Sequence, residues 1–443
     1  MHSTPGEKEE AIAPPGDPAS TEAALPQGAG WFKTFLNFRP IRIFSYREFR
    51  LLWLGQASMG MATWMDQVAR GWLIYELTNS AVHLGMVRGV QALPILLLAP
   101  FAGTAADRYD RKMQVMIAQV VDGSMYAILA VLIMAGLVQP WHVYLTGFVK
   151  AVVQTFQHPA RASMLADSVP LSHLTNAIGL NSVVFNVSRS TGPALAGILI
   201  AAFGTGGSYA VQTAFYVVAT ASTIPLRIGG RAGADSHGRG RHQTTVLRSI
   251  VEGWRYSWAN ESVRAGLLIT LFSSLFIIPF TTVLPVFARD ILGVGATGQG
   301  LLLTAMGVGA LCSAVVIASL GEQLPRGVLM LVGVTLYGLS VVAFSTSRWF
   351  NLSMVLMVLV GLFHVSSHAL AQTVVQAYST SEFRGRTMSL FQQGHFVLTT
   401  GGMVVGALTS ILGAQWAVAL MATAGALSIV GISLLQPRTR LIH

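Results

Sequence analysis

Gly103-Thr-Ala-Ala-Asp107-Arg108-Tyr-Asp-Arg111-Lys112 gathers five charged side chains within six residues. Apolar runs flank it, about 82–103 before and 112–136 after, so the charge occupies a short turn between two hydrophobic segments. Such a turn could close a soluble helical hairpin or join two membrane spans. The remainder of the chain decides which.

Of 443 residues, 53% are hydrophobic and only 10% are charged, against about 25% charged in a typical soluble domain. Mean hydropathy is +0.58. A soluble fold of this size has too little interior to hide that much apolar surface, whereas a bilayer does not require it hidden. The 45 glycines suit helices that approach backbone to backbone in lipid. A net charge of +10 and a pI near 10.1 raise nucleic acid as a partner. The basic residues fall mostly in short turns between apolar runs, which argues for membrane topology and no nucleic acid. Cys312 is the sole cysteine, so no intrachain disulfide forms. Residues 1–30 are polar and lack an apolar leader core, so a disordered tail and no cleavable signal peptide are expected. No nucleotide-binding loop, metal-ligand cluster or nucleophile elbow occurs, which argues against an enzyme and against ATP as the energy source.

Twelve apolar stretches are each about long enough to cross a bilayer as a helix. They run 49–75, 82–103, 112–136, 141–158, 176–203, 208–226, 264–287, 297–319, 328–346, 349–377, 385–412 and 415–435. The expected fold is an all-α membrane protein with twelve transmembrane helices in two pseudo-symmetric six-helix halves. Its divisions are a tail over 1–45, bundles over 46–226 and 264–436, a connection over 227–263, and a short tail over 437–443. Turns on one side carry Arg108, Arg111, Lys112, Arg161, seven Arg from Arg227 to Arg264, Arg326, Arg384 and Arg386. The opposite turns carry only Arg289 and Arg348. Positive charge is retained on the cytoplasmic side, so both termini are expected there. Within the connection, Val246 to Ala259 places Trp254 and Trp258 on one helical face, the pattern of an interfacial helix.

The halves echo one another. Gly192-Pro-Ala-Leu-Ala-Gly197 in span five aligns with Gly401-Gly-Met-Val-Val-Gly406 in span eleven at an offset of 209, and nearly the same offset relates Trp141 to Trp349. The opening turn decays in the second half to Ala318-x-x-x-Glu322-Gln-x-x-Arg326-Gly.

The pattern Gly-x-x-x-Asp-Arg-x-x-Arg-Lys resembles the signature loop of the major facilitator superfamily of transporters. Phe49-Arg-Leu-Leu-Trp-Leu-Gly-Gln56, Trp72-Leu-Ile-Tyr-Glu-Leu-Thr78, Pro159-Ala-Arg161, Leu284-Pro-Val-Phe-Ala-Arg289 and Arg384-Gly-Arg386 are similar to the enterobactin-exporter and macrolide-efflux branch. The resemblance covers about residues 45 to 435. It implies a gating motif of Gly103, Asp107, Arg108, Arg111 and Lys112. In it, Asp107 would cap span eleven of the opposite half while Arg108 and Arg111 brace it. Gly192, Pro193 and Gly197 resemble the fifth-helix motif of drug and proton antiporters, with Ala196 standing where that motif usually has a second glycine. Related antiporters carry an Arg at about the place of Lys150, but their surrounding Gln-Gly pattern is missing here.

Ionisable groups within spans are costly and therefore functional candidates. Asp66, Asp122 and His395 are the candidate proton carriers. Arg70, Arg88, Lys150, Gln154, Arg189, His364, His368 and Gln372 are the candidate cavity residues, with Asp66 and Arg70 spaced to pair on one helix face. Lys150, Gln154 and His158 form one polar stripe, and His364, His368, Gln372 and Gln376 form another.

These features point to a proton-driven exporter of a small amphipathic molecule (a drug, macrolide or siderophore) working by alternating access. It would work as a monomer in the cell membrane, with no cofactor beyond the proton gradient. A lysophospholipid flippase, a nutrient importer, and a non-transporting receptor or scaffold are the competing readings.

Overall fold

The computed structural model describes residues 41–228, 246–320, 326–380, 382–392 and 394–435. The described residues are helical almost throughout, and helices stand where the twelve apolar stretches were expected. In chain order they are α1 (Arg47–Thr78), α2 (Ala81–Arg108), α3 (Arg111–Met134), α4 (Pro140–Asp167), α5 (174–203) and α6 (205–223). Then come α7 (Val246–Ala259), α8 (Glu261–Ile291), α9 (Gly295–Leu320), α10 (Arg326–Thr346) and α11 (Phe350–Tyr378). The last three are α12 (Arg384–Gln392), α13 (Gly394–Leu412) and α14 (Ala414–Leu435).

Eight helical stretches among the described residues are long and apolar enough to cross a membrane, and one of them runs through α5 and α6 together. Helices α1 and α4 have the length, at 32 and 28 residues, but are less apolar. The difference lies in the groups they bury, Asp66 and Arg70 on α1 and Lys150 and Gln157 on α4. Leu97, Phe101, Val131 and Leu427 each stand more than 60% exposed on the outside of the bundle. An apolar exterior around a partly polar interior is the inverse of a soluble bundle, and lipid is the solvent that accommodates it.

Local chemistry sets the ends. Asp110 accepts the Met113 backbone N–H at 2.9 Å and caps α3, so the signature turn ends in a helix start. Asn260 caps α8 through Val263 in the same way, at 3.2 Å. Between α5 and α6 no loop exists: Gly204 alone, at φ +70°, turns the chain where a four-residue turn was expected. Pro279 and Pro285 each remove a ladder donor from α8, which passes through π, 3₁₀ and π segments between Ser273 and Ile291.

Helices α1–α6 pack on one another, as do α8–α14, and two seams join the groups. In the first, α5 runs against α9: a Cβ added at Gly300 would lie 2.4 Å from the Pro193 carbonyl oxygen, and one at Gly197 would lie 2.6 Å from that of Ala296. In the second, α13 runs against α2: a Cβ at Gly406 would meet the Ala81 carbonyl oxygen at 2.6 Å, and one at Gly85 would meet that of Gly402 at 2.7 Å. The aligned segments 192–197 and 401–406 thus occupy the two seams in corresponding fashion. All these close approaches fall toward the end of the bundle opposite the signature turn.

At the signature-turn end, the described polar contacts stay within each helix group. Arg111 donates to Asp167 at 3.1 Å and to the Ala106 carbonyl at 3.2 Å, and Lys112 donates to the Ile224 and Leu226 carbonyls at 2.7 Å each. Arg108 is exposed. The side chains of Gly103's neighbour Thr104 and of Asp107 lie outside the described residues, as do residues 321–325 with Glu322. Helix α7 docks on the α11–α12 corner, where Glu252 meets Arg386 at 2.9 Å and Tyr256 stacks on Phe383 at 4.5 Å. Trp254 and Trp258 remain about half exposed. Arg161 corrects one reading of the loop charges: it lies inside α4, buried, donating to the Leu52 carbonyl at 3.1 Å, and is no part of a turn.

Candidate functional site

Asp66 sits on α1, 3% exposed, at the centre of a buried network. Arg70, one helical turn on, donates from Nε to Asp66 Oδ2 at 3.1 Å, the pairing that the spacing of four foretold. Lys150 of α4 donates from Nζ to the same oxygen at 2.8 Å, and Tyr209 of α6 donates to Oδ1 at 3.3 Å. Lys150 also donates to the Tyr126 hydroxyl at 2.7 Å, and Arg70 Nη1 donates to the Val143 carbonyl and Thr146 Oγ1, each at 2.9 Å. One carboxylate thus holds two cations and a phenol. Lys150 is therefore turned into the α1–α6 interior, away from the cavity that its polar stripe had suggested.

Asp122 on α3 forms a second cluster with neutral partners. Tyr216 donates to its Oδ2 at 3.0 Å and Gln154 Nε2 stands at 3.4 Å, while Oδ1 has no partner among the described residues. Tyr126 packs edge-on against Tyr216 with ring centroids 5.3 Å apart, linking the two clusters. These three tyrosines escape sequence reading because a Tyr within an apolar span looks like filler. Once an intramembrane carboxylate is recognised, however, it calls for hydroxyl donors, and nearby spans are where to seek them.

The Asp66 network forms one wall of a narrow cleft between the helix groups. Its polar lining is Asp66, Gln67, Arg70 and Arg88 with Gln91 from α2, Thr281 and Thr282 from α8 and Gln299 from α9; Ile74, Leu84, Val87 and Pro285 supply apolar surface. Gln299 is 2% exposed and its Oε1 has no partner among the described residues, nor does Arg70 Nη2. Toward the end of the bundle opposite the signature turn, the Tyr75 hydroxyl donates to Asp290 of α8, and the Arg289 guanidinium lies 5.5 Å over the Tyr75 ring.

Other candidates lie elsewhere. Arg189 on α5 stands over the Trp64 ring at 5.7 Å and is not part of the cleft lining. His364 packs on Tyr337, and His368 packs on Phe391 and borders a separate small space among Thr270, Ser273, Ser274 and Ser367. Gln372 follows one turn further along α11, half-buried. The His395 side chain lies outside the described residues. Gly192 and Gly197 are both in close contacts, Gly192 against Trp64 Cβ and Gly197 in the α5–α9 seam.

Comparison with known proteins agrees with this architecture. The family profile described as transmembrane secretion effector matches residues 38–442. The staphyloferrin A transporter of Staphylococcus aureus is 21% identical over 354 residues, covering 80% of this chain and 87% of that protein. The multidrug efflux pump Tap of Mycolicibacterium fortuitum is 25% identical, covering 77% and 83%. Among solved structures, a bacterial homologue of the human lysosomal transporter Spinster, inward-facing and unoccupied, superposes with a TM-score of 0.67 at 16% identity, covering 89% of this chain and 96% of that one. The chain belongs to the transmembrane secretion effector family of the major facilitator superfamily and is a multi-pass membrane transporter.

Proposed function

We propose that this protein is a proton-coupled exporter of small amphipathic molecules that works by alternating access in the bacterial cell membrane, with both termini cytoplasmic. The observation that carries the proposal is Asp66. It lines the cleft between the helix groups while bonded to Arg70 and Lys150. When a guest enters or the helix groups move, these partners must change, and that exchange is what would couple the carboxyl's proton occupancy to the cycle. Asp122, with neutral partners only, is the second carrier.

In this orientation the signature turn lies at the cytoplasmic side, where polar contacts stay within each group. The glycine seams and the Tyr75–Asp290 bond close the outer side. That arrangement is the inward-facing stage of the cycle, from which a substrate is taken up from the cytoplasm or the inner leaflet. The apolar residues of the cleft suit an amphipathic body, and the relatives named as a staphyloferrin A transporter and a multidrug efflux pump are compatible with such cargo.

The test is efflux from proteoliposomes with and without an imposed pH gradient. Acceleration by the gradient, lost in Asp66→Asn, is the expected result. Equal rates with and without the gradient would sink proton coupling.

A further inference from the structure

The charges around the cleft do not balance. Its lining carries two cations, Arg70 and Arg88, and one carboxylate, Asp66. Asp66 is already shared between Arg70 and Lys150. Arg88 has no hydrogen-bond or ion-pair partner among the described residues, although it lines the cleft. One positive charge is left in excess in the cleft lining, where an uncompensated ion is costly.

The unmet hydrogen-bonding capacity points the same way. Arg70 is 3% exposed, and its Nη2 has no acceptor. Gln299 faces the same cleft from α9, 2% exposed, with its amide oxygen unpaired. Guanidinium groups are planar, permanently charged donors matched to carboxylates. A guest bearing carboxylate groups would neutralise the excess and take up the Arg70 and Arg88 donors. A hydroxyl or amide N–H on the same guest would meet Gln299. Ile74, Leu84, Val87 and Pro285 would receive its apolar portion. A cationic guest, by contrast, would raise the local charge further.

We infer that the cleft selects organic carboxylates, with Arg88 as the anchoring cation and Arg70 as the second donor. This deepens the exporter reading and rests on its choice of the cleft as the substrate site. Because Arg88 comes from α2 and Gln299 from α9, a bound carboxylate with a second polar group bridges the two helix groups, so the guest itself would stabilise the closed outer side.

The experiment uses the full chain in lipid nanodiscs and three fluorescent probes of similar size: dansyl-glutamate, a dicarboxylate; its dimethyl ester, neutral; and dansylcadaverine, a cation. Dansyl-glutamate is expected to bind most tightly. Arg88→Gln should weaken it by about tenfold or more, with little change for the ester, and Arg88→Lys should restore part of the loss. Equal affinities for all three probes would overturn the inference. So would an Arg88→Gln variant that weakened them all alike, the mark of a packing defect. Proteoliposome efflux separates this inference from the exporter reading. If dansylcadaverine is exported with no preference for the dicarboxylate, the anion site falls and export stands. If dansyl-glutamate binds through Arg88 but no probe crosses the membrane, the anion site stands and the export reading falls.

Discussion

Asp66 and Asp122 are both buried carboxylates in the α1–α6 group, yet their partners differ in kind. Asp66 compensates Arg70 and Lys150, whereas Asp122 accepts from Tyr216 and Gln154, which are neutral. Removing one side of a buried ion pair leaves an uncompensated charge and costs about 3 to 5 kcal/mol. Removing Asp122 leaves only a phenol and an amide to find other partners, a loss of about 1 to 3 kcal/mol. Asp66→Ala should therefore lower the unfolding temperature of the purified protein clearly more than Asp122→Ala does. The combined change Asp66→Ala with Lys150→Met should recover part of the difference, because one stranded cation is removed with its partner. Thermal unfolding in detergent measures all three variants. A larger loss for Asp122→Ala would mean that the cations near Asp66 find water or other acceptors readily. The sequence made Asp66, Arg70 and Asp122 legible, since charge within an apolar span stands out and a spacing of four places two side chains on one face. It did not show which way Lys150 points, because α4 offers polar residues on a stripe wide enough to serve either the cleft or the α1–α6 interior. Nor did it separate Arg161, buried in α4, from the basic residues of the turns.

At the scale of the helix, the two seams make corresponding demands on glycine. A methyl at Gly300 would come within 2.4 Å of the Pro193 carbonyl oxygen, and one at Gly406 within 2.6 Å of that of Ala81. Real Cβ atoms essentially never approach that closely, so the helices would have to separate at the end opposite the signature turn. Gly431, in α14, has nothing within 4 Å of an added Cβ and serves as a control. Gly300→Ala and Gly406→Ala should each raise labelling of Thr281→Cys by an impermeant maleimide from outside, in a Cys312→Ser background, while Gly431→Ala leaves it unchanged. Thr281 suits this readout because it lines the cleft. If only one seam responds, the correspondence between 192–197 and 401–406 is one of sequence and not of mechanics. The spans themselves were readable because lipid requires long apolar helices, and composition records that requirement directly. Their irregularities were not. The single-residue corner at Gly204 looks in sequence like any glycine-containing turn, and the π and 3₁₀ passages of α8 depend on how its neighbours satisfy the backbone groups that Pro279 and Pro285 leave free.

For the whole molecule, alternating access requires that the glycine seams and the signature turn act in opposition. The arrangement described here closes the end opposite the signature turn with glycine contacts and the Tyr75–Asp290 bond, while Arg111 at the signature-turn end is engaged by Asp167 of its own helix group. Closing the signature-turn end would bring the turn to the start of α12, whose Arg386 is meanwhile held by Glu252 of α7. If Asp107 favours that second arrangement, Asp107→Ala biases the protein toward the one seen here. Gly300→Ala biases it the other way, by opposing closure of the seams. In a two-state transporter, a bias of about 1.4 kcal/mol in either direction changes the population ratio tenfold and slows the cycle by trapping one state. Each single variant should therefore transport more slowly than the unmodified protein, and the double variant should be faster than the slower single one, because the two biases offset. Initial efflux rates and outside labelling of Thr281→Cys, measured on the same four proteins, decide the matter. A double variant slower than both singles would mean that the two ends do not share one equilibrium. The seams would then contribute to stability alone, and the signature turn would act on something other than the balance between inward- and outward-facing forms.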